Sequence, residues 1–280
     1  MKIRSRWTLP LALVSALLIL AIVNKQRAYR SSLSNGEAFL GDCAALAAKR
    51  GADTTLCPGI KSTFFARGEE NPPLAPAAIG APPLPVDSTT KIIAVSNPRF
   101  LSHLAYCYFE FRGWFDPKSL SPEEFAAAAT GFAILQGEVY GYADWLQSAA
   151  GASCRERVKA FTANEPDDLT GTMKDITALI ALNPLAALKA GRSLEDIRNE
   201  AQLTLNHERI HVLQVLCPAL DSLASRQWKE LPPSGREEMK RRYPAYDWAN
   251  PVVAARENLA LRYETHPRDV LSLAPGCVYH

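Results

Sequence analysis

The sequence is short of several things that would narrow its function at once. It has no acidic or basic tract and a formal net charge of only +2, so nothing marks a nucleic-acid partner. It has no C-x-x-C pair among its six cysteines, which argues against a metal knuckle or a thioredoxin-like redox motif. It has no internal repeat, which excludes a solenoid. It has only five histidines. With so few, two of them four residues apart carry information that they would not carry in a histidine-rich chain.

What is present begins with a basic stretch, Lys2, Arg4 and Arg6, followed by an uncharged, mainly apolar run of 17 residues from Trp7 to Val23. That length is at the low end for a membrane-spanning helix. The run ends in "AIVNKQR" rather than in a small-x-small cleavage site. It is therefore expected to stay as a signal anchor over residues 1–24, with a cleaved signal and a secreted product as the alternative. Lys25, Arg27 and Arg30 nearly balance the charges before the run, so the positive-inside rule does not choose an orientation. The cysteines do. Cys43, Cys57, Cys107, Cys154, Cys217 and Cys277 are even in number, widely spaced and all beyond the apolar run. They read as disulfides, in the sequential pairing 43–57, 107–154 and 217–277, with buried free thiols as the alternative. Disulfides imply a membrane-anchored protein whose bulk faces a periplasm, a lumen or another extracytoplasmic space.

Residues 25–90 read as a tether with one short helix, around "SNGEAFLGDCAALAAKRG". They end in "NPPLAPAAIGAPPLPV", residues 71–86, whose six prolines predict an extended linker or a strap over the domain surface. Residues 91–280 read as the main domain. Its fold class is mainly α with at most a small sheet, α+β being the alternative. "KIIAVSN" and the aromatic-rich "YCYFEFRGWF" are candidate strands. Ser121, Pro122 and Glu124 open a helix expected to run on through Phe132, Leu135, Val139, Tyr142 and Leu146, unless a hairpin forms near Gly137. "DDLTGTMKDITALIALNPLAALKAG" predicts two short helices broken near Asn183-Pro184. Ser193 and Asp196 open a long helix that stops at Pro218, "SGREEMKRRYP" is a charged surface helix, and Asn250 caps a helix with Pro251 at its first position.

The long helix carries "NHERIHVLQ", residues 206–214. His207 and His211 lie one turn apart on one face, so both imidazoles can reach a single ion. Two imidazoles and a carboxylate suit Zn2+ best, with iron, cobalt or manganese as the alternatives. Glu208, one step round the helix, can hold a water beside the ion without binding the metal and can take its proton during attack on a carbonyl. Ile210, Leu213 and Leu216 form an apolar stripe opposite the histidines, Gln214 can sit beside the site, and Arg209 is expected on a solvated face. The competing reading is a plain helix with two buried, hydrogen-bonded histidines.

This stretch resembles the zincin metallopeptidases, sharply over residues 206–214 and thinly elsewhere. The metzincin subgroup is not matched: Gln214 stands where its glycine turn begins and Cys217 where its third histidine would be. In an unbroken helix Cys217 points about 240° away from His211. Gluzincins take their third ligand from a glutamate on a later helix, and "ARENLALRYETH" offers Glu257, with Glu264 as the alternative ligand. The glutamate that is not a ligand would orient a ligand histidine. Ala260, on the same face, would let this helix approach the metal helix closely. Two departures stand out. Leu261 occupies the position where the thermolysin-like pattern has a carboxylate, and 45 residues separate His211 from Glu257. The resemblance implies a zinc peptidase with a zincin-like helical domain, acting on a peptide or protein substrate. Tyr243, Tyr246, Tyr263 and His266 are candidates to stabilise an oxyanion, with His266 and Tyr263 placed first. The rival functions are a catalytically inactive metal-binding protein and a helical interaction protein without metal.

Overall fold

The computed structural model describes residues 39–65, 73–95, 100–114, 121–161, 176–244, 246–275 and 277. The apolar run at 7–23 lies outside them. Among the described residues no helix is long and apolar enough to cross a membrane. The architecture is mainly α around one small sheet.

Three strands make that sheet: β1 (Thr90–Ala94), β2 (Gly131–Leu135) and β3 (Ala178–Leu182). Their order is β1-β3-β2. β1 and β3 run parallel, with Thr90 opposite Ala178 and Ala94 opposite Leu182. β2 runs antiparallel to β3, with Ala133 opposite Ile180. All five residues of β3 are buried, as expected of a central strand covered on both faces.

The strands alternate their side chains between two apolar layers. Ile92, Ala94, Ala133, Leu135, Ile180 and Leu182 enter a layer shared with the long helix α7 (Leu194–Leu216) through Leu205, Ile210 and Leu213. Ile93, Phe132, Ile134, Leu179 and Ala181 enter the opposite layer, with α3 (Tyr106–Arg112), α4 (Pro122–Ala128), α5 (Gln136–Gln147) and α6 (Ala152–Phe161). The α7 layer also takes in helix α1 (residues 39–50), helix α2 (Leu56–Phe64) and the proline-rich segment, through Cys43, Ile60, Ile79, Leu84 and Val86. The segment forms two 3-10 turns, Pro76–Ile79 and Pro85–Ser88, so it is a strap sunk into the core. No break in the apolar core falls at residue 90.

Three readings of local structure need correction. "YCYFEFRGWF" is helical: a π-helical turn, Phe100–Ala105, runs into α3, which Gly113 ends in the left-handed region at φ 63°. Aromatic residues favour any well-buried surface, and here that surface is a helix face. The helix expected from Ser121 to Leu146 is interrupted by β2. The run Phe132–Leu135 suits a strand buried on both faces as well as a helix, and periodicity alone does not separate the two. Gly131 marks the difference, because an added Cβ would lie 2.5 Å from Thr204 Cγ2 and 2.8 Å from the Ala181 carbonyl. Of the two helices expected around Asn183-Pro184, the first is strand β3 over Ala178–Leu182, with 167–175 outside the described residues, and the second is a 3-10 turn, Pro184–Ala187.

The remaining helices are α8 (Pro218–Glu230), α9 (Pro233–Arg242), α10 (Pro251–Tyr263) and α11 (Pro267–Leu273). α9 buries no residue. The cysteines pair in sequence order: 43 with 57, 107 with 154, and 217 with 277.

Candidate metal centre

Helix α7 starts on a reciprocal cap. Ser193 Oγ accepts from the Asp196 amide at 3.1 Å, and Asp196 accepts from the Ser193 amide at 2.8 Å. Eleven residues later the helix is wholly enclosed: every residue from Thr204 to Gln214 is buried. Helix α10 crosses beside it, begun by Asn250, whose side chain accepts from the amides of Val252 and Val253. Ala260 is fully buried on α10. Arg256 clamps that helix to α8 by a two-pronged pair with Asp221 at 3.0 and 2.5 Å.

This packing brings His207, His211 and Glu257 together. His207 Nε2 lies 3.0 Å from His211 Nε2 and 3.1 Å from Glu257 Oε2, and His211 Nε2 lies 3.3 Å from Glu257 Oε1. Three ligand atoms around one tetrahedral zinc, at bond lengths near 2.0–2.1 Å, stand about 3.3 Å apart. The donor types, two imidazoles and a carboxylate, fit that ion, and one ligand atom from each residue lies within 4.8 Å of the others. Among the described residues the group that could hold a metal is these three.

The far nitrogen of each imidazole is held as well. Glu264 Oε2 is 3.1 Å from His207 Nδ1, and Gln214 Oε1 is 2.9 Å from His211 Nδ1. An acceptor at Nδ1 fixes the proton there and turns the Nε2 lone pair toward the metal position. The sequence reading left Glu257 and Glu264 as rival ligands. The structure puts Glu257 against both histidines and Glu264 behind one of them.

The charges around the cluster favour a protonated His207. Burial works against charge on His207, but the hydrogen bonds its ring donates to the Glu257 and Glu264 carboxylates outweigh it and the imidazole is pushed up to about 10. Burial also opposes charge on Glu257, yet His211 and His207 hold its carboxyl well below the usual range. Glu208 is buried, and burial raises its pKa against the pull of His211 and His207. The Ala133 amide of β2 donates to the Glu208 carboxylate.

The two tyrosines at the centre are not the pair placed first from sequence. His266 is exposed, its ring 3.0 Å from the Thr265 hydroxyl, and Tyr263 packs half-buried against the core under Arg262. Neither bonds to the cluster among the described contacts. Tyr246 does: its phenol meets Glu257, and burial together with the charges of Glu257 and Glu208 raises its pKa well above the ordinary value. Tyr108 is fully buried beside Glu208, pairs with Glu138 and accepts the Leu135 amide at 3.4 Å. Arg112 also pairs with Glu138 and lies 4.4 Å over Trp114, whose ring is 6.3 Å from that of His211. Tyr108, Arg112, Trp114 and Glu138 escaped the sequence reading, since they lie on other elements and carry no spacing signal relative to the histidines.

Arg209 is a further correction. It is not on a solvated face but 0% exposed, paired with Asp87 of the strap. Leu216, expected in the apolar stripe with Ile210 and Leu213, is 41% exposed.

No protein-family profile, no curated protein and no solved structure matches the chain.

Proposed function

We propose that the protein is a zinc-dependent metallopeptidase of gluzincin type, with His207, His211 and Glu257 as ligands and Glu208 as general base. The observation that carries this reading is the buried group His207, His211 and Glu257, one ligand atom from each within 4.8 Å of the others, with a buried carboxylate one residue along the same helix. Bound there, zinc would supply Lewis acidity and bring a water's pKa toward neutrality.

The chain's own groups divide the remaining work. Glu208 takes the proton of the attacking water and returns it to the leaving amine. Its raised pKa in the ion-free protein and its tether to the Ala133 amide hold it poised for that exchange. Tyr246 keeps its proton at neutral pH and directs it at Glu257, and it is the nearest phenol to turn that proton to a developing oxyanion.

β2, an edge strand of the sheet, lies beside the base. The bonds Asn183 N to Thr130 O and Gln136 N to Thr177 O flank its ladder, so by antiparallel alternation Gly131, Ala133 and Leu135 turn their backbone groups away from β3. On that side the Ala133 amide is taken by Glu208 and the Leu135 amide by Tyr108, so this edge holds the base and its neighbour in place. Three disulfides suit an extracytoplasmic location, and the apolar run at 7–23 would anchor the chain to the membrane there.

The test is metal analysis of purified protein together with hydrolysis of a mixed peptide library. Wild type should carry about one zinc and cleave. Glu208→Gln should keep the zinc and lose at least about a hundredfold in rate. Zinc-free wild type, or full activity in Glu208→Gln, would reject the reading.

A further inference from the structure

Arg209 occupies the first variable position of the histidine motif, and its whole side chain is buried. Burying an ion pair gives little net stability compared with apolar packing of the same volume, so packing alone does not account for it. Its three nitrogens are all committed. Nε and Nη2 grip the two oxygens of Asp87 at 2.9 and 2.7 Å, and Asp87 is itself held by the Leu84 amide at 2.9 Å. Nη1 donates to the Pro82 carbonyl at 3.0 Å and to Asn206 Oδ1 at 3.1 Å. A guanidinium can only donate, so the Asn206 oxygen must face Arg209 and its amino group must face away. That amino group donates to the Glu264 carbonyl, at the end of α10, at 2.9 Å. The Glu264 carboxylate then bonds His207 Nδ1.

We propose that Asp87, Arg209 and Asn206 form a positioning relay that aims His207 through Glu264, so that the proline-rich strap sets the affinity of the metal centre. The proposal rests on the metal reading above. Four links are directional hydrogen bonds, from Asp87 to Arg209, Arg209 to Asn206, Asn206 to the Glu264 carbonyl and the Glu264 carboxylate to His207, and the joint between the last two is the covalent frame of Glu264 itself. A lysine at 209 could keep the charge pairing with Asp87 but could not also hold the amide of Asn206 in one orientation.

The test uses the purified full-length protein, Zn2+ titrated against a chromophoric chelator, and Co2+ as a spectroscopic probe. Asn206→Asp keeps an acceptor for Arg209 and removes the donor to Glu264. It should weaken Zn2+ binding about tenfold and shift the Co2+ visible spectrum, as loss of an outer partner of a ligand does. Glu264→Ala should weaken binding at least as much, and the double variant should be no weaker than Glu264→Ala alone. Arg209→Lys should follow Asn206→Asp, and Asp87→Asn serves the same cycle if either fails to fold. Losses that add in the double variant, or wild-type affinity and an unchanged Co2+ spectrum in Asn206→Asp, would overturn the relay while leaving the metal site standing. Failure of the wild type to take up Zn2+ would overturn both.

Discussion

If His207 carries a proton in the ion-free protein, metal binding must expel it. The proton lies on a nitrogen whose neighbours, Glu257 at 3.1 Å and Glu264 at 3.1 Å, favour the charged ring strongly enough to push it up to about 10. Zinc needs the Nε2 lone pair. Glu257, held well below the usual carboxylate range, brings no proton of its own to displace. Below pH about 10 the affinity for Zn2+ should therefore rise about tenfold, or about 1.4 kcal/mol, per pH unit from this group. Between pH 6 and pH 8 that amounts to about a hundredfold. Calorimetric titration at pH 7 in two buffers of different ionisation enthalpy counts the protons directly, and it should find about one released per ion bound from His207. An affinity independent of pH across that range, with no proton released, would refute the account of the ion-free cluster. The same group has a consequence for stability. Its folded pKa lies above the unfolded value, so its contribution is complete below pH about 6.5 and fades as the pH rises toward about 10. Metal-free protein should lose thermal stability over that window.

Tyr246→Phe should lower kcat by about a hundredfold with little change in KM, because the phenol is assigned to the transition state; equal turnover in steady-state peptide assays would remove it from the mechanism. Glu257→Ala should weaken Zn2+ binding more than Glu264→Ala, itself about 10–100-fold, and the reverse order in chelator competition would exchange their roles. Gly131→Ala should destabilise the fold by about 1–3 kcal/mol in urea unfolding, since its methyl would meet Thr204 Cγ2 at 2.5 Å and the Ala181 carbonyl at 2.8 Å; an unchanged midpoint would mean that α7 and β2 sit further apart than described. Alkylation without reductant followed by intact mass should find no free thiol, and six alkylated cysteines would reject the disulfides.

The features legible in the sequence are those whose physics is local. A four-residue spacing fixes which face His207 and His211 share, and Ser193, Ser121 and Asn250 announce helix starts because a cap and its amides are near neighbours in the chain. Glu257 and Glu264 could be selected because both lie on one helix face, but their division of labour depends on how α10 crosses α7. β2 and β3 were read as helix because "GFAIL" and "ALIAL" are apolar on every face, which is what burial between two layers requires and what erases the two-residue alternation. Arg209 was read as solvated because a charged side chain usually is, and its partner Asp87 lies 122 residues earlier. The aromatic stretch 106–114 was noticed for its composition. Its place beside Glu208 and His211 rests on contacts between segments nearly 100 residues apart.

The strap and helix α7 share one apolar layer although the chain makes them far apart in time. Leu205 lies 119 positions after Val86. At about 5–20 residues per second, roughly 6 to 24 s pass between the synthesis of one and the synthesis of the other. Cys43 and Cys57 can close their short loop at once, but Ile60, Ile79 and Val86 have no α7 to cover them in that interval. A nascent chain of this protein therefore shows a sticky, half-built surface that a holding chaperone would recognise. For the same reason a chain begun at residue 91 would leave Leu205, Ile210 and the helix that bears the histidines uncovered on one side, and should be recovered as aggregate.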